Sequence, residues 1–217
     1  MILYHYTSEK HGLAAIRDRR LKIATIDSLN DPFEGLVYAA KDRATRRTWK
    51  REIYPTLVRT LGLLCFSRSW KEPLLWAHYA SNHAGVCLGL KVPSHILYEV
   101  DYIAERPSID ELITLGDVDL PRCIRQKHVA WKYEQEQRAF VELSHQTRDP
   151  ENGLLFKTFD GPPGHRIELV EVYIGARNNL SKAKLTALMG GSSPEISTYK
   201  VRASFQDFTM VEQKRWR

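Results

Sequence analysis

Alternation in the first seven residues commits this chain to a sheet from its start. After Ile2-Leu3, the run Tyr4-His5-Tyr6-Thr7 sends His5 and Thr7 to one face of a strand and Tyr6 to the other. Ser8-Glu9-Lys10-His11-Gly12 then leads into the helical stretch Leu13-Ala14-Ala15-Ile16, and Leu21-Lys22-Ile23-Ala24 resumes the alternation. Strand, short helix and return strand display His5 at a sheet opening. A lone histidine near a strand end is usually structural, so its neighbours must decide what it does.

The rest of the chain repeats this grammar. Asn30-Asp31-Pro32 predicts a turn and a helix start, with Asp31 as cap and Pro32 suited to a first helical position, and a basic helix is expected over 34–54. Strands follow at Leu61 to Ser67, Val86 to Val92, Leu97 to Ile103, Gln137 to Leu143 and Ile167 to Ile174, with one or two more from Ile196 to Val211. Short helices are expected at Leu74 to Ala80 and Leu180 to Met189, and an acidic helix-like segment at Ile109 to Leu115. Short strands with few helices make an α+β fold. Gly161-Pro162-Pro163-Gly164 reads as a loop, and no repeat or low-complexity linker divides the chain, so 1–217 is expected to be a single domain. A domain of that length buries roughly 70% of the surface its unfolded chain exposes.

Composition narrows the functional classes. The hydrophobic share of 43% and charged share of 27% are ordinary for a globular chain, and no apolar run is long enough to span a membrane. Met1 to Lys10 lacks the basic start and apolar stretch of a signal peptide, which predicts a cytoplasmic protein without a membrane partner. The three cysteines, Cys65, Cys87 and Cys123, show no paired ligand spacing, and no metal is expected. The formal charge of +6 is concentrated: Lys41 to Arg59 holds seven basic residues against Asp42 and Glu52. On a helix, Arg43, Arg47 and Lys50 or Arg51 recur every three or four residues as one basic stripe, able to track phosphates or simply to face solvent.

Three further clusters carry candidate chemistry. Cys65-Phe66-Ser67-Arg68-Ser69-Trp70 ends an apolar strand in hydroxyls, and Trp76 and Tyr79 lie near one another on the next helix with His78 turned aside, so the aromatics either wall a planar ligand or fill the core. In Trp131 to Phe140, an extended chain from Glu134 onward puts Glu134, Glu136 and Arg138 on one face, with the carboxylates about 7 Å apart. That face is either a site or a solvated row of charges. In Ser28 to Gly35, Asp31 and Glu34 could face a ligand if the loop borders a pocket.

In order, the motifs Tyr4 to Thr7, Ser28 to Glu34, Cys65 to Ser67, Trp76 to Ala80 and Trp131 to Arg138 resemble those of an uncharacterised bacterial family, with Val170 to Gly175 similar to its late strand. More widely, the chain resembles ADP-ribosyltransferases, which implies split β-sheets with flanking helices and NAD as co-substrate. The resemblance makes His5 the opening-strand residue and Glu136 the catalytic second acid of a two-glutamate motif, with Tyr79 the candidate for a middle-motif tyrosine. It gives NAD contacts to Tyr6, Thr7, Ser67, Trp76, His78, Glu134 and Arg138. It further implies ADP-ribose transfer to a protein or nucleic-acid acceptor, in a toxin or phage-defence setting where a neutralising antitoxin is a possible partner. Two other readings stand beside it. One is a non-catalytic nucleic-acid-binding or regulatory module using Arg43, Arg47, Lys50 and Arg51. The other is an NAD glycohydrolase or nuclease using His5, His78 and Glu136.

Overall fold

A computed structural model describes residues 1–36, 38–108, 124–146, 148–162, 164–190 and 196–216, and these build an α+β fold. In chain order the elements begin with β1 (Ile2–Thr7), α1 (Glu9–Asp18), β2 (Arg20–Lys22) and β3 (Ala24–Thr25). A helical run follows as α2 (Arg43–Thr48), a π-turn (Trp49–Ile53) and α3 (Tyr54–Thr60), and leads into β4 (Leu61–Ser67), α4 (Pro73–Tyr79) and β5 (Val86–Lys91). Next come β6 (Leu97–Glu99), β7 (Asp101–Ile103), β8 (Gln126–His128) and β9 (Glu136–Glu142). The chain ends in β10 (Phe156–Thr158), β11 (Glu168–Ile174), α5 (Lys182–Leu188), β12 (Ser197–Ala203) and β13 (Met210–Glu212). The described residues group into two compact units, Met1–Lys22 with Phe66–Leu97 and Lys157–Arg217, and Ile23–Cys65 with Tyr98–Phe156.

The first unit is a mixed sheet in the order β13-β12-β11-β5-β1. β1 pairs antiparallel with β5, placing His5 opposite Leu88 and Tyr6 opposite Cys87. β5 pairs antiparallel with β11, which pairs in parallel with β12. Ser8 caps α1 by accepting the His11 N–H at 3.3 Å, and α1 lays Gly12, Ala15 and Ile16 against the face that carries Thr7. On the opposite face the ladder Tyr6, Cys87, Tyr173 and Tyr199 is covered by α4 through Trp76, which is fully buried. With helices on both faces, β5 reads as a continuous apolar run rather than an alternating one.

In the second unit β3 pairs antiparallel with β4, and the strand order continues β4-β9-β6. β7 and β8 form a separate parallel pair that sets Tyr102 opposite Lys127. Asp42 accepts the Thr45 N–H at 2.8 Å to cap the helical run, whose inner side packs Trp49 and Leu57 with Ile26, Tyr38, Leu63 and Ile124. Its outer side carries Arg43, Arg47, Lys50 and Arg51, all exposed.

Three expected elements are corrected. The helix expected over 34–54 begins at Arg43 and runs to Thr60, because the segment after Asp31 closes as a turn instead. The Glu34 N–H donates to Asp31 O at 3.0 Å, and Gly35 sits at φ 80°, where a Cβ would lie 2.7 Å from Ile26 Cγ2. Asp31 caps this turn, not a helix, through the Phe33 N–H at 2.9 Å. The strand expected over Leu97 to Ile103 divides at Val100, whose N–H turns to Glu136 O at 3.1 Å. The extended segment expected from Glu134 begins at Glu136, because Val129–Glu134 is a 3-10 helix ended by Gln135 in the left-handed region at φ 46°. The acidic helix-like segment at Ile109 to Leu115, Cys123 and Pro163 lie outside the described residues.

Candidate functional site

The E-x-E-x-R segment is neither solvated nor simply extended. Glu136 and Arg138, two apart on β9, share a face as strand geometry requires, and the 3-10 turn delivers Glu134 to the same place. Arg138 is 1% exposed and forks onto Glu136, with Nε donating to Oε1 at 2.8 Å and Nη2 to Oε2 at 2.9 Å. Its Nη1 donates to Ile124 O at 2.8 Å, and Nη2 also meets Glu34 Oε2. Lys127 on β8 completes the cluster, its Nζ lying 2.6 Å from Glu134, 3.1 Å from Glu34 and 3.4 Å from Glu136. Among the described residues, three buried carboxylates thus converge on two buried cations.

Electrostatics follow from this packing. Burial alone would raise the Glu136 pKa, but the Arg138 and Lys127 charges outweigh it and bring the group down to about 2. Arg138 behaves in mirror image: burial disfavours its charge, while Glu136 and Glu34 hold it protonated. Burial, then the neighbouring Glu136, pushes the Cys65 thiol well up, which removes it as a thiolate nucleophile near neutral pH. Tyr102 accepts the Glu136 N–H at 2.8 Å and fixes the start of β9; burial pushes its own pKa up to about 12.

Two members of the cluster, Glu34 and Lys127, reach the wall of a cavity of about 910 Å³ within this unit, and the other three lie behind them. Asp31, Glu34 and Lys127 reach the lining, together with the rings of Phe33 and Trp131. Both rings face cations: Lys127 Nζ is 4.9 Å from the Trp131 centroid and the Arg106 guanidinium 5.4 Å from that of Phe33. Lys41, Arg106 and His128 add basic groups to the lining. Gln126 also lines it, and among the described residues its buried Oε1 meets no hydrogen-bond donor.

The remaining expected residues belong to the other unit. His5 is half-buried on β1 with its ring edge-on to Phe66, the centroids 6.1 Å apart. Thr7 is half-buried against α1. The Tyr6 hydroxyl donates to Ser69 O at 2.8 Å, and Ser67 Oγ is buried and accepts the Ser69 N–H at 3.2 Å. Trp76 corrects its assignment as a ligand wall: it is 0% exposed and its Nε1 donates to Trp70 O at 2.7 Å, so both its face and its donor belong to the core. His78 is exposed, and Tyr79 is half-buried with its ring 6.1 Å from that of His78. No protein-family model, curated protein or solved structure matches the chain. Among the described residues no helix is long and apolar enough to cross a membrane.

Proposed function

We propose that the chain cleaves NAD at the nicotinamide–ribose bond and transfers ADP-ribose to a protein or nucleic-acid acceptor, on a fold like that of the ADP-ribosyltransferases and within the bacterial family its motifs resemble. The observation that carries this reading is the cavity wall, where the buried carboxylates Asp31 and Glu34 stand beside the rings of Phe33 and Trp131. Heterolysis of the C1′–N bond sends the electron pair to nicotinamide and leaves positive charge on the ribose, so fixed carboxylates stabilise the transition state more than the ground state. The aromatic faces suit the cationic pyridinium, the Gln126 carbonyl oxygen suits its carboxamide N–H, and the basic lining suits the diphosphate. The acceptor nucleophile then bonds to C1′ and gives its proton to a carboxylate. Glu134 and Glu136 support the wall from behind through Lys127 and Arg138.

Incubation of the purified protein with NAD tests the reading. Nicotinamide release is expected, with ADP-ribose recovered on the acceptor; free ADP-ribose alone would assign a glycohydrolase instead. No release with either protein or nucleic-acid acceptors would overturn NAD chemistry.

Exposure of Arg43, Arg47, Lys50 and Arg51 along one helical run supports a second reading, nucleic-acid binding. Charge reversal at Arg43 and Arg47 is expected to lower oligonucleotide affinity at least tenfold and to flatten its salt dependence by about 0.7 per lost single-strand contact, read by fluorescence anisotropy from 50 to 200 mM salt. An unchanged salt slope would return the stripe to a solvated face.

A further inference from the structure

In the first unit, the connection between β12 and β13 holds two phenyl rings in water. Phe205 is 94% exposed and Phe208 98%. The backbone around them is tied down: Ser204 N–H donates to Thr209 O at 2.9 Å, and Ser204 Oγ accepts the Gln206 and Asp207 N–H groups at 3.1 and 3.4 Å. Thr209 Oγ1 donates to Asp207 Oδ1 at 2.6 Å, and Met210 N–H donates to Lys71 O at 2.8 Å. Bare aromatic rings on a preorganised turn are a contact surface formed before its guest arrives.

Both rings line a cavity of about 500 Å³, within the range of small-ligand sites. His83 and Arg177 also line it, joined by the Arg177 N–H to His83 O bond at 2.9 Å. Ser81, Asn82 and His83 are three consecutive non-glycine residues at positive φ, 48°, 52° and 69°, a costly conformation for side chains with a Cβ. It is held by the Asn82 N–H on Ala77 O and the His83 N–H on Trp76 O.

We propose that this cavity is a nucleotide-binding site, taking a base against Phe205 and Phe208 and a phosphate on Arg177. Cations select this guest over an apolar peptide. Arg177 is exposed at the lining, and the Arg202 guanidinium lies 5.0 Å from the Phe205 centroid. The one carboxylate of the turn, Asp207, is engaged by Thr209. The rings stand on an exposed turn, and the small-ligand-sized cavity they border, with Arg177 on its lining, is what favours a nucleotide over a lipid surface. Base and phosphate are common to a free nucleotide and a single-stranded nucleic acid, and aromatic platforms beside cations hold both. The site stands on its own residues and needs no NAD cleavage.

The test uses the full chain with two probes: mononucleotides (AMP and UMP) by calorimetry, and labelled single-stranded oligo-dT and oligo-U by anisotropy. Phe205→Ala and Phe208→Ala should each weaken binding by about tenfold without moving the melting temperature, since neither ring packs in the core. The Phe substitutions should leave the salt slope unchanged, whereas Arg177→Gln should reduce it by about one contact. Loss of mononucleotide binding in the double Phe variant assigns a free nucleotide; loss of oligonucleotide binding alone assigns a strand. The proposal is overturned if neither probe binds the wild type or if the double variant binds as tightly as wild type. It is also overturned if the Phe substitutions change only self-association or binding to phosphatidylserine vesicles. Nicotinamide release plays no part in these readouts, so they stand or fall separately from the transferase reading.

Discussion

Arg138→Met is expected to lower the unfolding free energy by about 3–5 kcal/mol. The methionine fills much of the same volume, so the loss is electrostatic rather than a cavity. Without the guanidinium, Glu34 and Glu136 keep Lys127 as their shared cation, and Ile124 O loses its side-chain donor. Buried carboxylates lacking a counter-charge cost far more than an exposed pair, whose removal would barely register. Urea denaturation at neutral pH, with the m-value unchanged, provides the measurement; a loss below about 1 kcal/mol would mean that water or backbone relaxation compensates the carboxylates. Adding Glu136→Leu should recover part of the loss, because it removes the stranded charge.

The same substitution changes the acid response. The Glu136 pKa is depressed from 4.5 to about 2, so its contribution to stability is complete above about pH 4.5 and disappears as pH falls through about 2. Arg138→Met removes the larger of the two charges that depress it, and the acid-unfolding midpoint should move to higher pH. Fluorescence-monitored unfolding between pH 7 and 2 reads this shift, and coincident acid curves for the two proteins would remove Glu136 from the acid response.

The sequence makes the sheet more visible than the charge cluster. β1, β4, β5, β9 and β11 each combine apolar residues at strand length, and packing on both faces reinforces the pattern, as the wholly buried Val86–Leu90 stretch of β5 shows. Glu136 and Arg138 share a face because a two-residue period puts them there, whatever else the fold does. Lys127 has no such signal. It sits in the polar run Gln126-Lys127-His128, and its burial depends on the parallel pairing of β8 with β7 across more than twenty residues of sequence. Glu134 reaches the cluster from a turn, which an extended reading places differently. Asp31 and Glu34 look like turn and helix-start residues from composition, and only the left-handed Gly35 carries them into a closed turn at a cavity wall. Trp76 illustrates the converse: its three-residue spacing to Tyr79 is compatible with a ligand wall, but the Trp70 carbonyl that takes its N–H is set by the loop before α4.

Within the proposed NAD chemistry, Glu34→Gln is expected to reduce nicotinamide release by roughly 10²–10³-fold. Glutamine keeps the size and a carbonyl oxygen toward the cavity but loses the charge that opposes the developing ribosyl cation. The effect should fall on kcat more than on KM, because the cation exists only in the transition state. Glu136→Gln should give a comparable loss with a different signature. Glu136 is 6% exposed and both its oxygens are engaged by Arg138, so neutralising it loosens the fork that also orients Glu34. Its melting temperature should therefore fall along with kcat, and further than that of Glu34→Gln, which weakens single contacts to Lys127 and Arg138 but leaves Arg138 its Glu136 fork. Glu142→Gln, on the same strand but exposed, is the control and should leave both quantities unchanged. Retention of more than half the activity by both Glu34→Gln and Glu136→Gln would take the buried carboxylates out of the mechanism. Loss in Glu136→Gln alone, with Glu34→Gln fully active, would take the Glu34 charge out of the mechanism and leave Glu136 acting through Arg138 and Lys127.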